Sequence, residues 1–286
     1  MNAEAAWLLA LLLEARPPGD THFSAQPVQA CHGAEECAGA TWSTFYGTWV
    51  RQETADEGRA RYWGIAATQE RAIAAVMCVR LDGSAIEGCL PEPVALDKKT
   101  QRLLFGPLTA VALLNGAAIA ESGLREDVQM GRGRAKRCPP GRRSIPGVCG
   151  ESDDGGQGRG PGGEACFMQI HPSIGGRFAD GDPELLGSAR AGDRAAQEAV
   201  MQSLLGEENL ARCWRTGLRA LLHAKAYCDW WQAQSQMAKR DPYYAVYSLY
   251  GTGTSCISPN HGKTLYRYKL FRSLQVRARV LSRARD

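Results

Sequence analysis

The chain has 286 residues, 44% of them hydrophobic and 22% charged. At roughly 150 residues per domain this allows one or two domains, and the composition excludes wholesale disorder. A chain of this length buries a core without cross-links, yet it carries 10 cysteines, an even number that a reducing compartment does not explain.

Net charge is +4 but unevenly spread. Residues 1–130 hold 10 Lys and Arg against 16 Asp and Glu, and the remainder holds 24 against 14. A basic C-terminal half suits DNA, an anionic lipid surface or an anionic wall polymer, and a plain solvated face equally well. The apolar run from Ala5 to Leu13 is far shorter than the ~20 residues that span a bilayer, so no transmembrane helix is expected. Its length suits a signal-peptide core, but Glu4 and Glu14 flank it and no basic residue precedes it. It reads instead as an apolar helix ended by Arg16-Pro17-Pro18-Gly19.

Residues 19–50 read as irregular, with Cys31 and Cys37 close together. Thr54 to Val79 predicts a long helix, with Tyr62, Ile65, Ala66, Ile73, Val76 and Met77 at helical spacing. Asp82-Gly83 through Pro93 is a turn-rich connection holding Cys89. Leu103 to Ser122 is the most apolar helix, with Gly123 as its C-cap. Residues 124–163 change character: arginines and Lys136 surround Cys138, then an acidic, glycine-rich stretch runs from Glu151 to Gly163. A long irregular insertion is expected there, with short strands around it and a span between Cys138 and Cys149 that a disulfide could close.

Asp193 to Leu205 and Glu207 to Cys228 predict two amphipathic helices. Asp241-Pro242 opens a short helix through Leu249, which Gly251-Thr252-Gly253 ends. Thr264 to Ser282 predicts a last helix. The fold class expected is mainly α, a helical bundle around a cleft with a short β or irregular insertion. Three regions follow: a helical N-terminal region over 1–100, a central domain over 101–256 that contains the insertion, and a basic C-terminal helix or tail over 257–286.

Glu121 is the most informative residue. It stands at the C-terminal end of the most hydrophobic helix. The helix dipole is negative there and apolar surroundings penalise ionisation. Both effects favour the protonated form, which a general acid near neutral pH requires. The plainer reading is the first solvated residue after a buried helix.

Two later segments add context. Cys166-Phe167-Met168-Gln169-Ile170-His171-Pro172 follows the insertion, and Tyr247-Ser248-Leu249-Tyr250-Gly251-Thr252-Gly253 comes later. With Ala120-Glu121-Ser122-Gly123, they resemble the motifs of the lysozyme-like lytic transglycosylases, in the superfamily of goose-type lysozyme, which cleave bacterial peptidoglycan. The family pattern is Glu-Ser-Gly at a helix end, then Gly-Leu-Met-Gln-Ile-x-Pro, then Ala-x-Tyr-Asn-x-Gly. The resemblance covers about residues 103–256 and implies an α+β lysozyme-like fold. Cys166-Phe167 replaces Gly-Leu, and Gly251 replaces the Asn after the last Tyr.

By this resemblance Glu121 would be the catalytic acid/base. It would protonate the glycosidic oxygen between N-acetylmuramic acid and N-acetylglucosamine, then accept the proton of the muramyl 6-hydroxyl as that oxygen attacks C1. The product would be a 1,6-anhydro sugar. Ser122 would orient Glu121, Met168 and Gln169 would line the sugar cleft, and Tyr250 would bring its hydroxyl near Glu121. Plainer roles stand beside these: a cap-region hydroxyl for Ser122, core packing for Met168, a packed aromatic for Tyr250. A hydrolytic lysozyme would need a second carboxylate across the sugar, for which Glu151, Asp153 and Asp154 are candidates. A further alternative is an inactive structural component of a phage particle.

No cofactor or metal is expected: the five histidines show no ligand spacing and no CxxC pair occurs. The expected partners are peptidoglycan glycan strands, with virion or cell-envelope proteins as further candidates. Nucleic acid is the weaker reading of the cations at Lys263, Arg267, Lys269, Arg272, Arg277, Arg279, Arg283 and Arg285. The expected location is extracytoplasmic or within a phage virion. Sequence does not determine disulfide connectivity. Neighbouring pairs would be Cys31/Cys37, Cys78/Cys89 and Cys138/Cys149, while Cys166/Cys213 and Cys228/Cys256 would tie the cleft motif and the Tyr250 turn to the amphipathic helices.

Overall fold

A computed structural model describes residues 42–45, 48–51, 55–122, 165–205, 207–234, 241–253, 255–257 and 262–283. The expected N-terminal apolar helix, the insertion with its strands, and the Cys31, Cys37, Cys138 and Cys149 pairs lie outside the described residues. What is described is mainly α.

Strands β1 (Trp42–Phe45) and β2 (Thr48–Arg51) form an antiparallel hairpin, with Trp42 opposite Arg51 and Phe45 opposite Thr48. This corrects the irregular reading at its C-terminal end, from residue 42 on, and residues 19–41 lie outside the described residues. Aromatic and β-branched residues such as Trp42, Thr44, Phe45, Trp49 and Val50 favour a strand, and the surrounding Gly and Ser obscure them. Helix α1 (Ala55–Met77) follows. It stops where Cys78 turns left-handed at φ 53° and Val79 pairs with Ala85. The Cys78–Cys89 disulfide closes this turn across 11 residues.

Helix α2 (Pro107–Ser122) begins four residues later than Leu103. Leu103 instead forms a bridge with Leu96, and Leu104 N–H donates to Ala95. Pro107 marks the true start, because its missing N–H costs nothing at a first helical position. Every residue from Ala110 to Glu121 is buried. Asn115, fully enclosed in this apolar run, exchanges two amide hydrogen bonds with the equally enclosed Gln69 of α1, at 3.0 and 3.2 Å.

The helices that follow are α3 (Pro172–Phe178), α4 (Pro183–Ala191), α5 (Arg194–Gln202), α6 (Leu210–Gln234), α7 (Pro242–Thr252) and α8 (Gly262–Arg283). Asp182, Asp193 and Asp241 cap α4, α5 and α7, each carboxylate accepting backbone N–H groups of the first turn. Gly253 ends α7 at φ 69°. Helix α6 runs past Cys228 to Gln234, with Lys225 and Asp229 paired one turn apart.

By contact the chain divides into two compact units, neither a continuous stretch. One takes in Ile65–Ala120 and Trp214–Asp286, the other Glu121–Cys213 together with Arg16–Gly64. In the second, α3, α4 and α5 pack on one another. Gly176 lies against Ala189 there: a methyl on it would come within 3.1 Å of the Ala189 methyl.

In the first unit the core centres on Leu113, Leu114, Trp214, Tyr247 and Phe271, all fully buried. Arg219 clamps Glu92 with two hydrogen bonds of 2.7 and 2.6 Å. Tyr243 and Tyr247 of α7 pack on Phe271 of α8 at 4.8 and 6.2 Å between ring centres. The expected last helix is α8. Thr264, Arg267, Leu270, Phe271, Leu274 and Ala278 are buried, so its inner face is core and Arg267 is not a solvated cation.

Gly116 is the closest crossing in this unit. A methyl at that position would lie 2.5 Å from the Tyr247 hydroxyl and 3.2 Å from both Arg267 O and Phe271 N. In an exposed helix Gly→Ala stabilises by about 1 kcal/mol. Gly116→Ala is expected to do the opposite, lowering stability by roughly 2 kcal/mol through overpacking, read as a lower urea midpoint at unchanged slope.

Candidate functional site

Residues 165–170 fold into a tight turn. Ala165 and Ile170 pair by two backbone hydrogen bonds of 3.0 and 2.8 Å, and Gln169 N–H donates to Cys166 O at 3.0 Å. Closing so short a turn puts Cys166 at φ 52° and Gln169 at φ 50°, both left-handed. Non-glycine residues in this region store about 1–3 kcal/mol each. Two contacts hold them. The Gln169 side-chain amide donates to Cys166 O at 2.8 Å. The Cys166–Cys213 disulfide anchors the turn to α6, closing 47 residues.

The rest of the turn faces inward. Phe167, Met168 and Ile170 are buried at 1%, 0% and 0% exposure. Met168, expected along a cleft, is therefore a packing residue in this structure, because a fully enclosed side chain offers a sugar no surface. Gln169 is 6% exposed and spends one donor within its own turn. His171 accepts the Ser173 N–H at 3.3 Å as the cap of α3, with Pro172 next to it, so the His-Pro pair is a helix start.

Glu121 is 3% exposed in the last turn of α2, and Ser122 is the final residue of that helix. The carboxylate is thus inside the protein, not the first solvated group after the helix. Glu121 and the 165–170 turn fall in the same compact unit. Glu151, Asp153 and Asp154 lie outside the described residues.

Tyr250 belongs to the other unit, in the last turns of α7. It is 8% exposed, and the Arg267 guanidinium carbon lies 5.8 Å from its ring centre. One turn earlier, the Tyr247 hydroxyl donates to Leu113 O at 2.7 Å. Burial pushes the Tyr247 phenol well above its ordinary value, and Tyr250 adds to the shift. The Cys228–Cys256 disulfide, with Ala245, Trp231 and Leu249 around it, ties the segment after α7 to α6.

Arg267 and Tyr247 were missed from sequence as parts of this neighbourhood. The signal for Arg267 was its place in the apolar row Thr264, Arg267, Leu270, Phe271, Leu274, where a solvated cation does not belong. Among the described residues no group of His, Cys, Asp and Glu could hold a metal ion. Every described cysteine is disulfide-bonded. No described helix is long and apolar enough to cross a membrane. No family model, no curated protein and no solved structure matches the chain.

The left-handed turn makes a direct prediction. With Cys213→Ala in both backgrounds, Cys166→Gly is expected to be more stable than Cys166→Ala by about 1 kcal/mol, because only the alanine keeps the left-handed strain. Both variants are expected to lose roughly 2–5 kcal/mol relative to the disulfide-bonded chain. Urea denaturation of the three proteins checks both differences.

Proposed function

We propose that the chain cleaves peptidoglycan glycan strands as a lytic transglycosylase, with Glu121 as its single general acid/base. The observation that carries this reading is the burial of Glu121 at the end of an apolar, enclosed helix. Buried carboxyl groups at the end of an apolar helix are candidates for acid/base work. The backbone of the Cys166–Gln169 turn supports the same reading. The position where the resembled motif carries Gly is the one held at φ 52°, the conformation glycine adopts most easily.

In the proposed reaction the protonated Glu121 gives its proton to the glycosidic oxygen between the muramyl and glucosaminyl residues. The C1–O bond breaks with the electron pair on the leaving oxygen. The muramyl 6-hydroxyl then attacks C1, and Glu121 takes up the hydroxyl proton, which restores the acid. Atoms balance without water, and a second carboxylate is not required. Gln169 is the remaining binding candidate in the unit that holds Glu121, Tyr250 of the other unit is a candidate by the resemblance alone, and Ser122 is the candidate for orienting Glu121.

The three disulfides among the described residues support a place of action in an oxidising setting. That fits a cell envelope or a phage particle, with envelope or virion proteins as partners.

Digestion of purified peptidoglycan, with mass spectrometry of the products, tests the reading. The wild type is expected to release anhydro-muropeptides, and Glu121→Gln to slow release by about 10²-fold or more. Reducing-end products would instead mark a hydrolase with a second carboxylate. No products from the wild type would leave a lysozyme-like structural protein. Equal rates in wild type and variant would remove Glu121 from the chemistry.

A further inference from the structure

Gly251 occupies the position where the resembled motif has Asn after its Tyr. The structure supplies a reason for the exchange. A methyl at 251 would overlap Arg267 Nη1 and lie 3.3 Å from Arg267 Cζ. The space beside residue 251 is therefore filled by the guanidinium of a residue 16 positions later, brought in by α8.

Three observations make this more than a chance contact. Arg267 is 5% exposed and sits on the core face of α8. Its guanidinium carbon is 5.8 Å from the Tyr250 ring centre, within cation–π range. Its backbone is seated against Gly116 of α2, where a methyl would come within 3.2 Å of Arg267 O. The height of α8 along α2 is thereby limited, and with it the place from which the guanidinium reaches Tyr250. Burying a guanidinium is unfavourable unless its surroundings hold it. A lysine would bring charge but neither the flat face nor the fork.

We propose that Arg267 is a positioning residue for Tyr250, standing in for the absent Asn by filling the space beside residue 251 and holding the Tyr250 ring. This inference rests on the reading of Tyr250 as part of the glycan site. A side chain at 251 would then have to displace the Arg267 guanidinium, and would be accommodated without that once Arg267 is gone.

The test uses the full chain with Gly251→Asn, Arg267→Ala, the double variant, and Arg267→Lys. Urea midpoints and kcat and KM on peptidoglycan are measured for each. Each single substitution is expected to lower kcat/KM by about 10-fold or more, since small misplacements of binding groups carry such effects. The double variant is expected to recover much of the loss caused by Gly251→Asn, because the Asn side chain enters the vacated space. Arg267→Lys is expected to keep the fold and still lose activity.

A double variant no better than the product of the two single effects overturns the shared-space proposal. So does Arg267→Lys with wild-type kcat and KM. Should Arg267→Ala fail to fold, Gly251→Ala and Arg267→Lys carry the test: a midpoint unchanged by Gly251→Ala would sink it. A wild type inactive on peptidoglycan defeats the underlying enzyme reading and this proposal together. An active wild type with an indifferent Arg267 defeats this proposal alone.

Discussion

Helix α2 has no side that meets water between Ala110 and Glu121, and much of the first unit follows from that constraint. An enclosed helix needs neighbours all round, which α1, α7 and α8 help to supply, and every polar group on it needs a partner inside the protein. Asn115 is answered by Gln69 of α1, two amides exchanging hydrogen bonds. The Leu113 carbonyl receives the Tyr247 hydroxyl of α7. Gly116 lets the backbone of α8 come within reach. One helix thus sets the position of three others by a polar pair, a hydroxyl and a missing side chain.

Glu121 extends the same logic to chemistry. At the end of an enclosed helix a carboxylate meets the negative end of the dipole and little water. Buried acids are over-represented among catalytic groups. The proposal that Glu121 moves a proton rests on its place at the end of this enclosed helix and on the motifs around it.

Elements with caps and periodicity were legible in the sequence. Asp193 and Asp241-Pro242 announced α5 and α7 within a residue of their starts, and the apolar spacing of α8 placed it within two. The pairings Cys78/Cys89, Cys166/Cys213 and Cys228/Cys256 were also right. Helices α3 and α4 went unseen because they are short and carry Gly175, Gly176 and Gly187, which lower helix propensity. Packing explains the glycines: Gly175 faces Met201, and Gly176 faces Ala189. Yet Asp182-Pro183 is the same start signal as Asp241-Pro242, so α4 could have been found. The hairpin at Trp42–Arg51 and the late start of α2 at Pro107 show local chemistry outranking average composition. At the site, Glu121 was visible because burial can be read from a run of apolar neighbours. The inward turn of Met168 and the reach of Arg267 were not, since each depends on elements distant in sequence.

The two departures from the resembled motifs share one explanation. Where that pattern has Gly, this chain has Cys166 in a left-handed conformation, held by a disulfide to Cys213. Where it has Asn, this chain has Gly251 beside the guanidinium of Arg267. In each case a residue poorly suited by local rules is made suitable by a partner far along the chain: 47 residues in one case, 16 in the other. Local propensity alone would put neither residue where it stands. The backbone at 166 and the space beside 251 are set by contacts that only the folded chain supplies, and the two positions cannot be judged without Cys213 and Arg267.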